Sequence, residues 1–149
     1  MGYVFSLLAT TFGVMLGLVM SAFAGYVRRR LLAREMKRQL LSEIKSVKND
    51  LEQLNTEDGY SLEVTKTPVY QGFVFASKIA YLEKYDWYTT LLKFYSELDK
   101  FNSWHATRTK QAFSNNAAIA KLIEEMLKPE QVRLQNDASS LIKLMESKK

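Results

Sequence analysis

The N-terminal part of the chain contains 25 consecutive residues, 3–27, without a side chain that is charged at neutral pH. An α-helix rises ~1.5 Å per residue, so a helix of this length spans about 37 Å and exceeds the ~30 Å hydrocarbon core of a bilayer. Tyr3 and Tyr26 lie near its two ends, and such amphipathic rings favour the headgroup region. The stretch therefore predicts one membrane-spanning helix within residues 1–27.

Basic residues follow this stretch at once and predict its orientation. Residues 28–48 contain eight Lys or Arg and two Glu, a net charge of +6, whereas residues 49–149 contain thirteen basic and fourteen acidic residues. Because cytoplasmic flanks are rich in Lys and Arg, we expect a single-pass protein of the inner (cytoplasmic) membrane with its N-terminus outside and its C-terminal domain in the cytoplasm. Anionic lipid is the expected partner of three consecutive residues, Arg28, Arg29 and Arg30. A signal peptide cleaved after "AFA" is the alternative, but no positive charge precedes the apolar stretch.

Small residues recur at every fourth position of the predicted span. They are Ala9, Gly13, Gly17, Ser21 and Gly25. Helices in lipid associate through close approach of their backbones, which small side chains allow. The stripe predicts that the span packs against further copies of the chain in a homo-oligomer. Packing against a different membrane protein is the alternative.

The remainder of the chain has the pattern of a mainly α protein. Residues 28–55 contain neither Pro nor Gly, and their apolar residues alternate at spacings of four and three, which predicts a basic stalk helix that continues from the span. Residues 56–149 predict a cytosolic helical bundle of four or five helices. Apolar and polar residues alternate around Leu62, which leaves either one short strand near 60–66 or an extended loop open.

Two further expectations concern the surface and the ends of these helices. The segment 68–82 is aromatic and apolar on all sides, which predicts that it is buried in the core or at an interface.

Pro129 predicts that one helix ends at Lys128 and that another follows. Proline lacks the amide hydrogen of the helical ladder and clashes with the preceding turn.

The composition excludes several classes of functional site. The chain has no Cys and a single His, so it can form neither a Cys-ligated metal site nor a multi-histidine centre. It also lacks the glycine-rich phosphate loops and the nucleophile motifs of common enzyme classes. We therefore expect a protein that is not an enzyme and that uses no cofactor and no metal.

One group of side chains has the chemistry of a small-ligand site. Trp104, His105 and Arg108 lie on one side of a predicted helix, and Lys66 is a further candidate from the preceding loop. Aromatic and cationic groups together can stack a base and hold a phosphate, which predicts a site for a small anionic ligand such as a cyclic nucleotide. The alternatives are a solvated helix end and, for His105, a packing residue at the helix edge. The nearly neutral residues 49–149 argue against long nucleic acid, which needs many phosphate contacts.

The layout of the chain resembles a group of bacterial membrane proteins. The uncharged stretch "GVMLGLVMSAFAG", the basic collar "RRRLLAREMKR" and a compact helical remainder are similar to the type III CRISPR-associated membrane effectors of antiviral defence. The resemblance implies a homo-oligomer whose cytosolic domain binds a cyclic oligoadenylate messenger and disturbs the membrane helices. The alternative function is that of a non-catalytic accessory or scaffold subunit, which docks on another membrane protein and binds no small molecule.

Overall fold

The computed structural model of the chain describes residues 2–54, 66–114 and 116–147, with side chains at residue 3 and from residue 10 onward. Four α-helices and one 3₁₀ helix occur in these ranges: α1 (Gly2–Gln53), α2 (Pro68–Phe75), the 3₁₀ helix (Ile79–Leu82), α3 (Tyr88–Phe113) and α4 (Ala117–Ser147). The described residues contain no strand, which agrees with the prediction of a mainly α protein. Residues 60–65 of the suggested strand lie outside the described residues, and Lys66 has no regular secondary structure.

The first helix joins the predicted span to the predicted stalk. α1 is one continuous helix of 52 residues, so the predicted continuity is confirmed. The helix is long and apolar enough to cross a membrane, a property that it shares with signal sequences. The chain divides into two compact units, Met1–Met36 (unit 1) and Lys37–Lys149 (unit 2).

Unit 2 is a helical bundle in which α4 runs antiparallel to α1 and to α3. Lys45 of α1 forms a salt bridge of 2.7 Å with Glu146 near the end of α4. Leu51, which follows Lys45 in α1, accepts a hydrogen bond from Gln131, which precedes Glu146 in α4. In the same way α3 and α4 are joined by salt bridges from residue 97 to 133 and from residue 108 to 124. The order of these contacts makes α4 antiparallel to both α1 and α3.

The core of unit 2 is formed by the apolar stripes of these helices. Because apolar residues recur at spacings of three and four, each helix presents one continuous apolar face. Full burial of one such side chain contributes about 1.5–3 kcal/mol. The buried apolar residues are Leu40, Ile44, Val47 and Leu51 in α1, Leu91, Phe94, Tyr95, Leu98 and Phe101 in α3, and Ala120, Ile123, Leu127, Leu134, Ala138, Leu141 and Met145 in α4.

The predicted helix end at Lys128 is wrong. α4 continues through Pro129 and runs for 31 residues. Proline in a helix interior costs about 3 kcal/mol, because one hydrogen bond is lost and the ring crowds the preceding turn. Pro129 is exposed, so water can solvate the carbonyl that it leaves without its usual donor. Buried Leu127 and Leu134 on either side hold both halves of the helix against the core, which outweighs the local cost.

The prediction that segment 68–82 is buried in the core is also wrong for most of its length. None of the residues 68–75 of α2 is buried, and Leu82 is the buried residue of the 3₁₀ helix. Val74 and Phe75 are exposed to solvent. An interface outside the chain stays open as the role of this segment.

Candidate functional site

No described residue covers the small-residue stripe of unit 1. Gly13, Gly17, Ser21 and Gly25 are exposed, and a methyl group added to any of the three glycines would meet no atom within 4 Å. The side chain of Ala9 lies outside the described residues. The large apolar side chains around the stripe, among them Leu18, are exposed as well. No contact within the described chain therefore requires glycine at these positions.

The three predicted ligand residues of α3 have different surroundings. Trp104 is exposed over 50% of its surface, whereas His105 is buried with 8% exposure. The side chain of Arg108 is exposed over 16%. The structure thus brings an exposed aromatic ring and a largely buried cation to the same side of α3, one helical turn apart. Their role as a ligand site stays a prediction.

His105 faces the interior of the bundle. Its ring lies against Phe101, with 6.3 Å between the ring centroids, and its backbone carbonyl accepts a hydrogen bond of 3.0 Å from Thr109 Oγ1. Burial lowers the pKa of His105 below its usual value, and the charge of Arg108 acts in the same direction. The imidazole is therefore neutral at physiological pH. This environment fits the alternative of a packing residue better than direct contact with a ligand.

Arg108 links α3 to α4. Its Nη2 donates a hydrogen bond of 2.9 Å to Oε2 of Glu124. That hydrogen bond lowers the pKa of Glu124; burial opposes the shift, and the charges of Arg108 and Lys128 add to it. Because Glu124 stays ionised, an anionic ligand that binds Arg108 has to share the guanidinium with this carboxylate or displace it.

Lys66 belongs to another part of unit 2. It is exposed and directly precedes α2, whose Tyr70 stacks on Tyr95 of α3 with 3.8 Å between the ring centroids and 5° between their planes. At ~1.5 Å per residue, Tyr95 lies about 13 Å along α3 from Trp104 and about 20 Å from Arg108. The contacts of the described residues therefore anchor Lys66 away from the predicted cluster.

A buried carboxylate of unit 2, which the sequence analysis missed, accepts three hydrogen bonds. Glu43 of α1 is buried and accepts hydrogen bonds from the backbone N–H of Val69 (2.6 Å), the backbone N–H of Tyr70 (3.1 Å) and the hydroxyl of Tyr95 (2.7 Å). The first turn of a helix has amide groups without partners in the helix, and the side chain of Thr67 at the N-cap of α2 makes no capping hydrogen bond to them. Glu43 thus caps α2 from a different helix.

Tyr95 completes this arrangement as a hydrogen-bond donor. Burial raises the pKa of Tyr95 far above its usual value, and the Glu43 carboxylate raises it further. The hydroxyl keeps its proton and donates a hydrogen bond to the carboxylate. One signal for this site exists in the sequence: Glu43 lies three residues after Leu40 and four before Val47, within the apolar seam of α1. A charged residue in such a seam needs a buried partner.

A second helix end is closed in the same way. The last four carbonyl groups of a helix have no donor within it. Leu51 near the end of α1 receives hydrogen bonds from the side-chain amides of Gln131 and of Gln135, the latter at 2.9 Å, which lie one turn apart on α4. Side chains of neighbouring helices thus hold the end of α1 and the start of α2.

Comparison of the chain with protein-family models, with curated proteins and with solved structures gives no match. The described residues contain no group of three or more His, Cys, Asp or Glu that could hold a metal ion. Function therefore has to be argued from the stripe of unit 1 and from the side chains of unit 2.

Proposed function

We propose that the protein is a single-pass, self-associating protein of the inner membrane. In this proposal its cytosolic helical domain binds a small anionic ligand of the cyclic-nucleotide type, and binding perturbs or gates the membrane. The protein would act in the manner of the antiviral membrane effectors that it resembles. The observation that carries the proposal is the uncovered glycine stripe of α1.

The glycines of the stripe make an isolated helix less stable. Glycine in a helix interior is less favourable than alanine by about 1 kcal/mol. Gly13, Gly17 and Gly25 have open space around them, so nothing in the described chain offsets this cost. A partner helix would offset it, because its backbone can approach closely only where side chains are small. An identical helix is the simplest partner, since it supplies the same stripe.

Trp104 and Arg108 have the chemistry that a nucleotide ligand needs. An exposed indole beside a guanidinium offers stacking for a base and a charge for a phosphate. Glu124 accepts a hydrogen bond from the guanidinium, so a phosphate would compete with this carboxylate at the contact between α3 and α4. Ligand binding in this proposal therefore changes how these two helices are held together.

Native mass spectrometry of the full-length protein in mild detergent tests self-association. We expect a defined homo-oligomer for the natural chain and its dissociation in Gly17→Leu, since leucine blocks close approach. The matched control is Val14→Leu, an exposed position off the stripe, which should leave the oligomer intact. A natural chain that is monomeric, or bound to a different protein, would contradict the proposal and support the accessory-subunit alternative.

Ligand binding is tested with a panel of cyclic oligoadenylates and cyclic dinucleotides, by calorimetry on the same preparation. We expect Arg108→Gln to weaken binding without dissociating the oligomer, and Glu124→Gln to strengthen it by removing the competing carboxylate. Arg133→Gln is the control, because Arg133 is also salt-bridged in unit 2 but lies far from Trp104 along the helices. Equal affinities of Arg108→Gln and the natural chain would show that this site is wrong.

A further inference from the structure

The turn between α2 and the 3₁₀ helix carries apolar side chains that no described residue covers. Phe75 is exposed over 87% of its surface, Val74 over 42% and Tyr81 over 40%. Lys78, between them, is exposed too. We call residues 74–81 the apolar tip. A phenylalanine this exposed lacks the stabilisation that its burial would bring.

The tip has a defined backbone conformation. The amide of Ser77 donates to the carbonyl of Val74, and the amide of Lys78 donates to the carbonyl of Phe73, each at 2.9 Å. This pair of bonds is the Schellman motif, which ends a helix with one residue in the left-handed region. Ser77 takes that position with φ of 52°. The exposed Phe75 is therefore held at a fixed turn.

The contacts within unit 2 locate the segment that carries the tip. α2 starts beside Glu43 of α1 and stacks on Tyr95 of α3, and the segment ends where α3 begins at Tyr88. Tyr88 lies seven residues before Tyr95, which corresponds to about 10 Å along α3. Because α3 runs parallel to α1, its first residues are level with the start of α1 in unit 2 at Lys37. The tip segment thus lies at the end of unit 2 that contains Lys37.

The charges of this segment indicate the chemistry of its partner. Residues 66–82 contain Lys66 and Lys78 and no Asp or Glu, while Lys84, Glu83 and Asp86 follow. A cationic segment with exposed aromatic side chains is complementary to the interface of an anionic bilayer, where lysine meets phosphate and aromatic rings favour the headgroup level.

We propose that the apolar tip docks on the surface of the anionic phospholipid membrane that α1 is proposed to cross. The inference rests on the membrane location given under the proposed function. It adds a second membrane contact, made by unit 2, to the span and to the basic collar. Phe75 and Val74 enter the headgroup region, and Lys78 binds lipid phosphate.

Single-cysteine labelling tests this contact, because the chain has no native cysteine. The full-length protein carries a fluorophore at Ala76→Cys, beside Phe75, in vesicles of phosphatidylcholine and phosphatidylglycerol that contain headgroup spin-labelled lipid as the quencher. Matched labels are Val19→Cys in the predicted span and Leu122→Cys, an exposed position near the start of α4. We expect quenching at position 76 to be several-fold stronger than at position 122. We also expect a large loss of that quenching on changing Phe75→Ser together with Lys78→Gln, and on omitting phosphatidylglycerol.

The outcomes separate the two proposals. Quenching at position 19 without quenching at position 76 would overturn the docking of the tip and leave the membrane span in place. An unquenched label at position 19 would instead contradict the membrane location itself. A label at position 76 shielded from both lipid quencher and aqueous iodide would mean that protein covers the tip, which overturns the proposal. Undiminished quenching in the double variant would do the same, since Phe75 and Lys78 would then not make the contact.

Discussion

Glu43 is the side chain on which the attachment of α2 depends. Its two carboxylate oxygens accept three hydrogen bonds, two from the first turn of α2 and one from Tyr95. In Glu43→Gln one oxygen becomes an NH₂ group, which cannot accept from a backbone amide. At least one amide, of Val69 or of Tyr70, is then left facing a donor. A hydrogen bond to a charged group contributes about 1.5–3 kcal/mol, so we expect a loss of this size.

Glu43→Gln should lower the local stability of α2 as well as the stability of unit 2 as a whole. Hydrogen exchange followed by mass spectrometry, on the full-length protein in detergent, reports the opening of α2 against that of α3 and α4. A loss of 1.5–3 kcal/mol corresponds to roughly 10- to 150-fold faster exchange in residues 68–75. Glu43→Ala removes all three acceptor contacts and should accelerate exchange further. Glu125→Gln, which removes one exposed carboxylate of α4, is the control.

Tyr95→Phe makes the reasoning refutable. It removes one of the three donors and leaves the two amide bonds to Glu43 in place, so its effect on residues 68–75 should be smaller than that of Glu43→Gln. Because the two residues share a hydrogen bond, the double variant should lose less than the sum of the single variants. If Glu43→Gln exchanges in α2 at the rate of the natural chain, the carboxylate does not hold this helix and the account of the cap is wrong.

Three further predictions concern the stability of unit 2, measured by urea unfolding at constant detergent. Ser77→Gly should stabilise it by about 1 kcal/mol, because glycine adopts the left-handed conformation without steric cost; an unchanged midpoint would contradict the strain. Gln131→Leu and Gln135→Leu should each cost about 0.5 kcal/mol, since the other glutamine still donates, and the double variant should lose more than the sum, about 2–3 kcal/mol; additive losses would refute the shared acceptor. Burial, and to a smaller extent the charge of Arg108, lowers the pKa of His105 in the folded chain. As the pH falls, the imidazole is therefore protonated in the unfolded chain before it is protonated in the folded chain. Stability present above about pH 6.5 should therefore decline below it, and His105→Phe should remove that part of the decline.

Local patterns in the sequence predict the long helices but not their contacts. The spacing of three and four in α1, α3 and α4 depends only on neighbouring residues, and the structure confirms that these segments are helical, although α4 is one helix where two were predicted. Pro129 shows where such reasoning stops. Its local cost is real, but packing of Leu127 and Leu134 against other helices decides the outcome.

The cap of α2 lies beyond local patterns for a different reason. Glu43 bonds residues that are 26, 27 and 52 positions away in the chain, so no window along the sequence contains both partners. The apolar composition of α2 predicted burial in the core, and this prediction was wrong. Composition records what a segment prefers and not what is available to cover it. In the structure α2 is held by its first turn and by the ring of Tyr70, while Phe75 stays exposed.

The two interhelical contacts that matter for the proposed function lie at separate places along α3. Tyr95 holds Glu43 and α2, whereas Arg108 holds Glu124 of α4, about 20 Å further along the helix. A ligand that takes Arg108 from Glu124 would therefore loosen α3 from α4 without breaking the cap of α2. Hydrogen exchange with and without a bound cyclic nucleotide should then change in residues 117–128 and stay constant in residues 68–75. A change confined to α2 would mean that the ligand acts through Glu43, and the site at Trp104 would be wrong.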